Sequence, residues 1–184
     1  MAERVGYDEF VAARSSRLLR LAYLLTRDWA LAEDLLQAAL VKAWFAWTRL
    51  DGEPEAYVRK VIATTYVSWR RRRWTRELSH GDLPERAAPD GTGAVEDRLG
   101  LWPALGRLPA RQRTVLVLRF FEDLSEQQAA AVLGVSVGTV KSQTSKALEK
   151  LRADRGLMDA EPERSIASAR RAADRPGATD DKGA

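Results

Sequence analysis

Apolar residues recur along this chain at intervals of three and four, and no segment sustains period-two alternation, so the pattern predicts an all-α protein. Phe10, Leu18, Leu21, Ala22 and Leu25 mark a first helix, which Asp8 is expected to cap and which ends near Thr26. Asp28 is placed to cap a second helix carrying Leu31, Leu35, Ala38, Ala39, Val41, Lys42 and Phe45. Asp51-Gly52 is a turn signal, and Pro54 suits the first turn of a third helix. That helix carries Tyr57, Val58, Val61, Ile62, Thr65 and Trp69 along one side and runs into Arg70, Arg71, Arg72 and Arg73.

The pattern then lapses. Ser79, His80, Gly81, Pro84, Pro89, Gly91, Thr92 and Gly93 read as a flexible linker over 78–95. Helical spacing returns over Val95–Arg107, is punctuated by Pro109, and continues through Val115, Leu116, Leu118, Arg119 and Phe120. Two short helices are expected next, at Ser125–Leu133 and Ser136–Arg152. Past Asp154 periodicity fades into Asp, Arg, Pro and Gly, and 155–184 reads as a largely disordered tail, with Ile166–Ala173 a weak helix candidate. The expected organisation is two small helical domains, 1–77 and 96–154, joined by the linker.

The last two helices carry the sharpest local signal. Ser125 with Gln128 forms a capping box, Ala130 is small where helices must cross closely, and Gly134 follows Leu133 where a helix stop needs a left-handed residue. Ser136 can cap the next helix, and Val140 is the apolar residue that locks it against the first. This is the spacing of a helix-turn-helix. In its second helix Val137, Val140, Thr144, Ala147, Leu148 and Leu151 share one face, and Thr139, Ser142, Gln143 and Lys146 another. The outward face suits a major groove: Gln143 can pair with adenine, and Lys141 or Lys146 can meet phosphate or guanine. The rival reading is a plain helical hairpin with a solvated face.

Charge sharpens the picture because it is unevenly placed. Residues 1–52 are neutral, 53–77 carry net +4, 78–100 net −3, 101–152 net +4 and 153–184 net −1. Two basic segments flanking an acidic spacer suit two contacts with a polyanion, although ordinary helix surfaces can also carry such charge. The same arrangement suggests a free state in which the two domains pack on each other and hide their DNA surfaces. Tyr66, Trp69 and Trp74 interleave with Arg70–Arg73 and Arg76, a mixture suited to stacking unpaired bases and holding phosphate. Trp69 also continues the apolar stripe and fits the core, and core packing accounts equally well for Trp44 and Trp47.

Other chemistry is hard to place. The chain has no cysteine and a single histidine, His80, so no metal site and no cofactor are expected. No uncharged apolar run approaches the ~18 residues that span a bilayer, and Met1–Gly6 lacks a signal-peptide core, so a cytoplasmic protein without membrane insertion is expected. No motif places a nucleophile, a base or metal ligands together, so no enzyme activity is expected.

Four segments in order make the chain resemble the extracytoplasmic-function (ECF) sigma factors, in particular an actinobacterial subgroup. They are Ala32–Trp44, Ala56–Val61, Leu108–Arg119 and Asp123–Ser142 with Ala147–Arg152. The resemblance covers roughly residues 8–152. It implies a factor that binds core RNA polymerase and directs promoter recognition, DNA opening and transcription initiation, with an anti-sigma factor as a candidate further partner. It places polymerase contact on Asp34, Gln37, Lys42 and Trp44. It places capture of a flipped minus-10 base at about Thr48–Pro54, minus-10 contact on Arg59, Lys60, Tyr66, Arg70, Arg71, Arg72 and Arg73, and minus-35 contact on Thr139, Lys141, Ser142, Gln143 and Lys146. Two departures stand out. Gln37-Ala38-Ala39-Leu40 replaces the Gln-Glu-Thr-Phe of many relatives, and Gln143 stands where many carry arginine. The rivals are a conventional helix-turn-helix repressor or activator using 101–152 alone, and a helical protein-binding adaptor.

Overall fold

The computed structural model describes residues 6–50, 53–77 and 101–153; side chains of 73–77 and 101–103 are outside that description. The linker 78–95 and the tail 155–184 fall outside the described residues. Regular structure among the described residues is helical throughout: α1 (Tyr7–Thr26), α2 (Trp29–Ala46), a 3₁₀ turn (Trp47–Arg49), α3 (Pro54–Glu77), α4 (Leu101–Arg107), α5 (Ala110–Leu116), a π turn (Val117–Phe121), α6 (Glu126–Leu133) and α7 (Val137–Ala153).

Local sequence accounts for most boundaries. Asp28 caps α2, its side chain accepting from the Leu31 N–H at 3.0 Å. The expected cap of α1 is corrected: the helix starts at Tyr7 behind a left-handed Gly6 with φ 84°, so Asp8 lies inside the first turn. There, with Glu9, it faces the positive end of the helix dipole. The stretch expected to run as one helix to Phe120 changes register instead. Over Val117–Phe121 the backbone winds wider, and the Glu122 N–H donates to the Val117 carbonyl five residues back, at 3.0 Å.

The first three helices pack around Leu21, Leu25, Leu35, Val58 and Ile62, all fully buried. Ala22, Ala32, Ala39 and Ala43 are also fully buried, and their small side chains let the helix axes approach. Trp44 and Trp47, where α2 ends, fasten the start of α1 to it. Tyr7 meets Trp44 edge-on at 4.9 Å and Trp47 at 5.0 Å, and its hydroxyl donates to the Leu40 carbonyl at 3.0 Å. In the second half, Val115, Leu116, Val117 and Leu118 are successive and all buried, because α5 and the π turn run through the middle of the bundle.

The two halves do not stand apart. One apolar cluster joins Leu18, Leu25 and Tyr66 to Leu105, Leu116, Phe121 and Leu151. A second joins Ala63 of α3 to Val115, Leu118, Ala129, Ala130 and Val140.

Candidate nucleic-acid interface

The helix-turn-helix is built as its sequence suggests. Ser125 Oγ accepts from the Gln128 N–H at 3.1 Å, and Gln128 Oε1 accepts from the Ser125 N–H at 2.7 Å, closing the capping box. Gly134 is left-handed (φ 65°, ψ 37°), and the Val135 N–H reaches back to the Ala130 carbonyl. Ser136 Oγ accepts from the Thr139 N–H at 3.1 Å and starts α7. Val140, Ala147, Leu148 and Leu151 are buried beneath α7. On its other face Thr139, Ser142 and Lys146 are exposed and Gln143 is half-buried, so these four share one surface; Lys141, also exposed, lies to the side of it, toward α6. Lys141 Nζ lies 3.7 Å from a Glu126 carboxylate oxygen, an exposed pair that phosphate can displace at little cost.

The predicted minus-10 set is divided between two faces of α3. Lys60, Arg71 and Arg72 are exposed, and Arg70 is half-buried. Tyr66 is only 3% exposed, and its hydroxyl lies 3.1 Å from Arg113 Nη1. Arg59 is paired with Glu122 at 2.8 Å and with Glu55 at 3.4 Å. In this arrangement neither Tyr66 nor Arg59 is presented to DNA. Arg73 lies where side chains are outside the described residues, as do Trp74 and Arg76; the expected base-capturing loop includes residues 51–52, which are also outside it.

A groove between α2 and α3 brings Thr64 and Ser68, which sequence reasoning overlooked, beside residues it had named. Ala38, Lys42, Thr64, Thr65, Ser68, Trp69 and Arg72 line a volume of about 310 Å³. Lys42 Nζ donates to Thr65 Oγ1 at 3.3 Å. Thr64, Ser68 and Arg72 follow one another at four-residue spacing, the signal that could have revealed a polar, cationic stripe beside the arginine run.

Of the predicted polymerase contacts, Asp34, Gln37 and Lys42 are exposed on α2, whereas Trp44 is half-buried against Tyr7. Val41 and Phe45, on the same exposed side, are 53% and 66% exposed. They stand on a helix otherwise packed against α1 and α3. Periodicity could not single them out, because α2 is apolar nearly all round. Burial also governs ionisation at the foot of this unit: desolvation, then the nearby Asp8 charge, raises the pKa of Tyr7 above its ordinary 10.0.

A three-helix unit with a cationic third helix, followed by a helix-turn-helix, defines the two DNA-binding halves of a sigma-70-type factor. The chain matches the family models Sigma-70 region 2 over residues 10–76 and Sigma-70, region 4 over residues 104–153. It is 39% identical over 154 residues to the RNA polymerase sigma-E factor of Streptomyces coelicolor, covering 83% of this chain and 87% of that protein. It is 33% identical over 157 residues to the ECF RNA polymerase sigma factor SigL of Mycobacterium tuberculosis, covering 81% and 86%. Among solved structures it is similar to the sigma factor RpoE of Bartonella quintana, solved in complex with the anti-sigma factor NepR. That match has a TM-score of 0.66 and 27% identity and covers 80% of this chain and 94% of that one. The chain belongs to the ECF RNA polymerase sigma factors, with actinobacterial members among its relatives. It therefore binds core RNA polymerase and directs promoter recognition.

Proposed function

We propose a division of that task among three surfaces. The outer side of α2 (Asp34, Gln37, Val41, Lys42 and Phe45) docks on core polymerase. The exposed side of α3 (Lys60, Arg71 and Arg72), with the groove at Thr64 and Ser68, takes the minus-10 strand, and Arg59, Arg70 and Arg73 join it. The outer face of α7 (Thr139, Ser142, Gln143 and Lys146), with Lys141 on its flank toward α6, reads the minus-35 element. Tyr66 serves this reading as a positioning residue beneath α3 rather than as a stacking platform. The chain works in the cytoplasm, and no reaction is assigned to it. An anti-sigma factor is a further partner, a reading supported by the likeness to RpoE.

The observation that carries this reading is that cationic or polar surfaces stand exposed on two helices, α3 and α7, whose opposite faces are buried. Each surface alone makes few phosphate contacts, and its hold on DNA weakens steeply with salt. Polymerase fixes both on one promoter, so the second contact becomes intramolecular. Trapping an extruded base then offsets an unstacking cost of roughly a few kcal/mol.

Open-complex formation on a promoter library, with core polymerase present, tests the assignment. Gln143→Ala is expected to relax base preference at one minus-35 position by about 1–3 kcal/mol. Lys60→Ala with Arg71→Ala is expected to weaken opening on all promoters and to reduce the salt slope. Unchanged selectivity and unchanged opening in these variants would contradict it.

A further inference from the structure

We infer that the groove between α2 and α3 is a binding site for a single nucleotide, its phosphate held between Lys42 and Arg72 and its base set against Trp69. The inference rests on the reading of α3 as a nucleic-acid-binding helix, and it gives one part of that helix a ligand of defined size and chemistry.

The groove is cationic, and nothing in it balances the charge. Lys42 and Arg72 both line it, and no acidic side chain does. Among the described residues, neither cation is in a salt bridge with a carboxylate. Arg59, on another side of the same helix, is paired twice, with Glu55 and with Glu122. A lysine and an arginine without counter-charge in one concave surface attract an anion.

Lys42 is also held in place. Its Nζ donates to Thr65 Oγ1 at 3.3 Å, and Thr65 is 8% exposed. A buried hydroxyl therefore draws the ammonium toward α3 and away from the polymerase-facing side of α2. The remaining ammonium protons stay available to a ligand. Arg72 stands seven residues beyond Thr65, about 10 Å along the helix axis. A long helical side chain leans back toward the helix start. The two cations thus converge on the stretch between them, where Ser68 lines the groove. The Ser68 hydroxyl has no hydrogen-bond partner among the described residues. A phosphate at Ser68 meets an ammonium, a guanidinium and a hydroxyl, all of them donors to its oxygens.

The other lining groups suit a base. Trp69, half-buried, is the aromatic wall of the groove. A base can stack on such a ring whatever its sequence identity. Thr64 Oγ1 donates to the Lys60 carbonyl at 2.8 Å, so it offers lone pairs to a base N–H. The volume of about 310 Å³ lies at the low end of the ~300–1,000 Å³ of small-ligand pockets, which suits one nucleotide and not a run of them. An unpaired nucleotide of a strand and a free nucleotide present the same chemistry.

Fluorine NMR on the full chain tests the site and separates these two sources. The chain has six tryptophans, so growth with fluorotryptophan labels Trp69 along with the others, and Trp69→Phe identifies its line. The probes are adenosine monophosphate and a single-stranded oligothymidylate; adenosine and inorganic phosphate are the controls. At least one probe is expected to shift the Trp69 line, and each control to bind several-fold more weakly than that probe. Arg72→Gln is expected to weaken the binding several-fold. Ser68→Leu, which fills the groove and keeps both cations, is expected to abolish the shift. A shift with the strand alone makes a strand nucleotide the occupant, and a shift with adenosine monophosphate alone makes it a free nucleotide; both support the site. A Trp69 line that neither probe moves, or a shift that both variants leave intact, would overturn it. Lys60→Gln with Arg71→Gln separates the two levels. If that variant loses strand binding while the Trp69 line of the parent chain stays silent, the groove alone fails. If neither it nor Arg72→Gln weakens strand binding, the reading of α3 fails and the inference with it.

Discussion

Two glycines in the helix-turn-helix should respond to the same substitution with opposite signs. Gly134 ends α6 at φ 65°, and a Cβ built there meets nothing within 4 Å. The cost of Gly134→Ala is therefore backbone strain alone, roughly 1–2 kcal/mol for a side chain held left-handed. A smaller gain, about 0.4–1 kcal/mol, comes from a less flexible unfolded chain. The net expectation is a loss of about 1 kcal/mol, partly recovered in Gly134→Asn because asparagine tolerates this conformation. Gly138, four residues on, lies in the first turn of α7. A Cβ there meets only Ser136 Oγ at 3.8 Å, an ordinary contact. Gly138→Ala should stabilise by about 0.5 kcal/mol through helix propensity. Native-state hydrogen exchange of the α6 and α7 amides reads both changes locally: a change of 1 kcal/mol alters the opening constant about fivefold. Faster exchange in Gly134→Ala and slower exchange in Gly138→Ala are expected. The same sign in both, or a loss at Gly134 well above 2 kcal/mol, would refute the argument that conformation rather than space selects glycine at 134.

Replacing Val41 and Phe45 together with serine should leave the melting of the free chain nearly unchanged, since both side chains are exposed, and should lower core polymerase affinity at least tenfold in a binding titration. Tyr7 carries a pH prediction. Its pKa is raised by burial and then by Asp8, so the stability it contributes is fully present below its ordinary value of 10.0 and is lost as pH rises through the higher folded value. Urea unfolding between pH 8 and 11 should show this alkaline loss. Tyr7→Phe should flatten it, at a constant cost of about 1 kcal/mol for the hydrogen bond to Leu40.

Where local chemistry determines local structure, the fold could be read in advance. The Asp28 cap, the Ser125–Gln128 capping box, the Gly134 stop and the buried Val140 each depend on neighbours a few residues away. What was not legible depended on distant partners or on backbone choices that side chains do not announce. Asp8 yielded the cap to Gly6, because a left-handed glycine sets the start of α1 at Tyr7. The π turn was hidden in a run of apolar residues that suits any helix. Tyr66 and Arg59 looked like solvent-facing members of a basic helix, yet Arg113 and Glu122, 47 and 63 residues away, hold them. The polar outer side of α7 was legible, since α7 carries that pattern within itself. Val41 and Phe45 were legible only as apolar residues, and the packing of α2 against α1 and α3 was needed to show them facing outward.

Run-off transcription with purified core polymerase, on templates bearing candidate minus-35 and minus-10 pairs, tests the central claim most directly. A defined transcript is expected only when the chain is added, and is expected to be lost when either promoter element is scrambled or when Thr139, Ser142 and Gln143 are changed together to alanine. A chain that gives no transcript with core polymerase, yet protects a palindromic site by itself as a dimer, would contradict it.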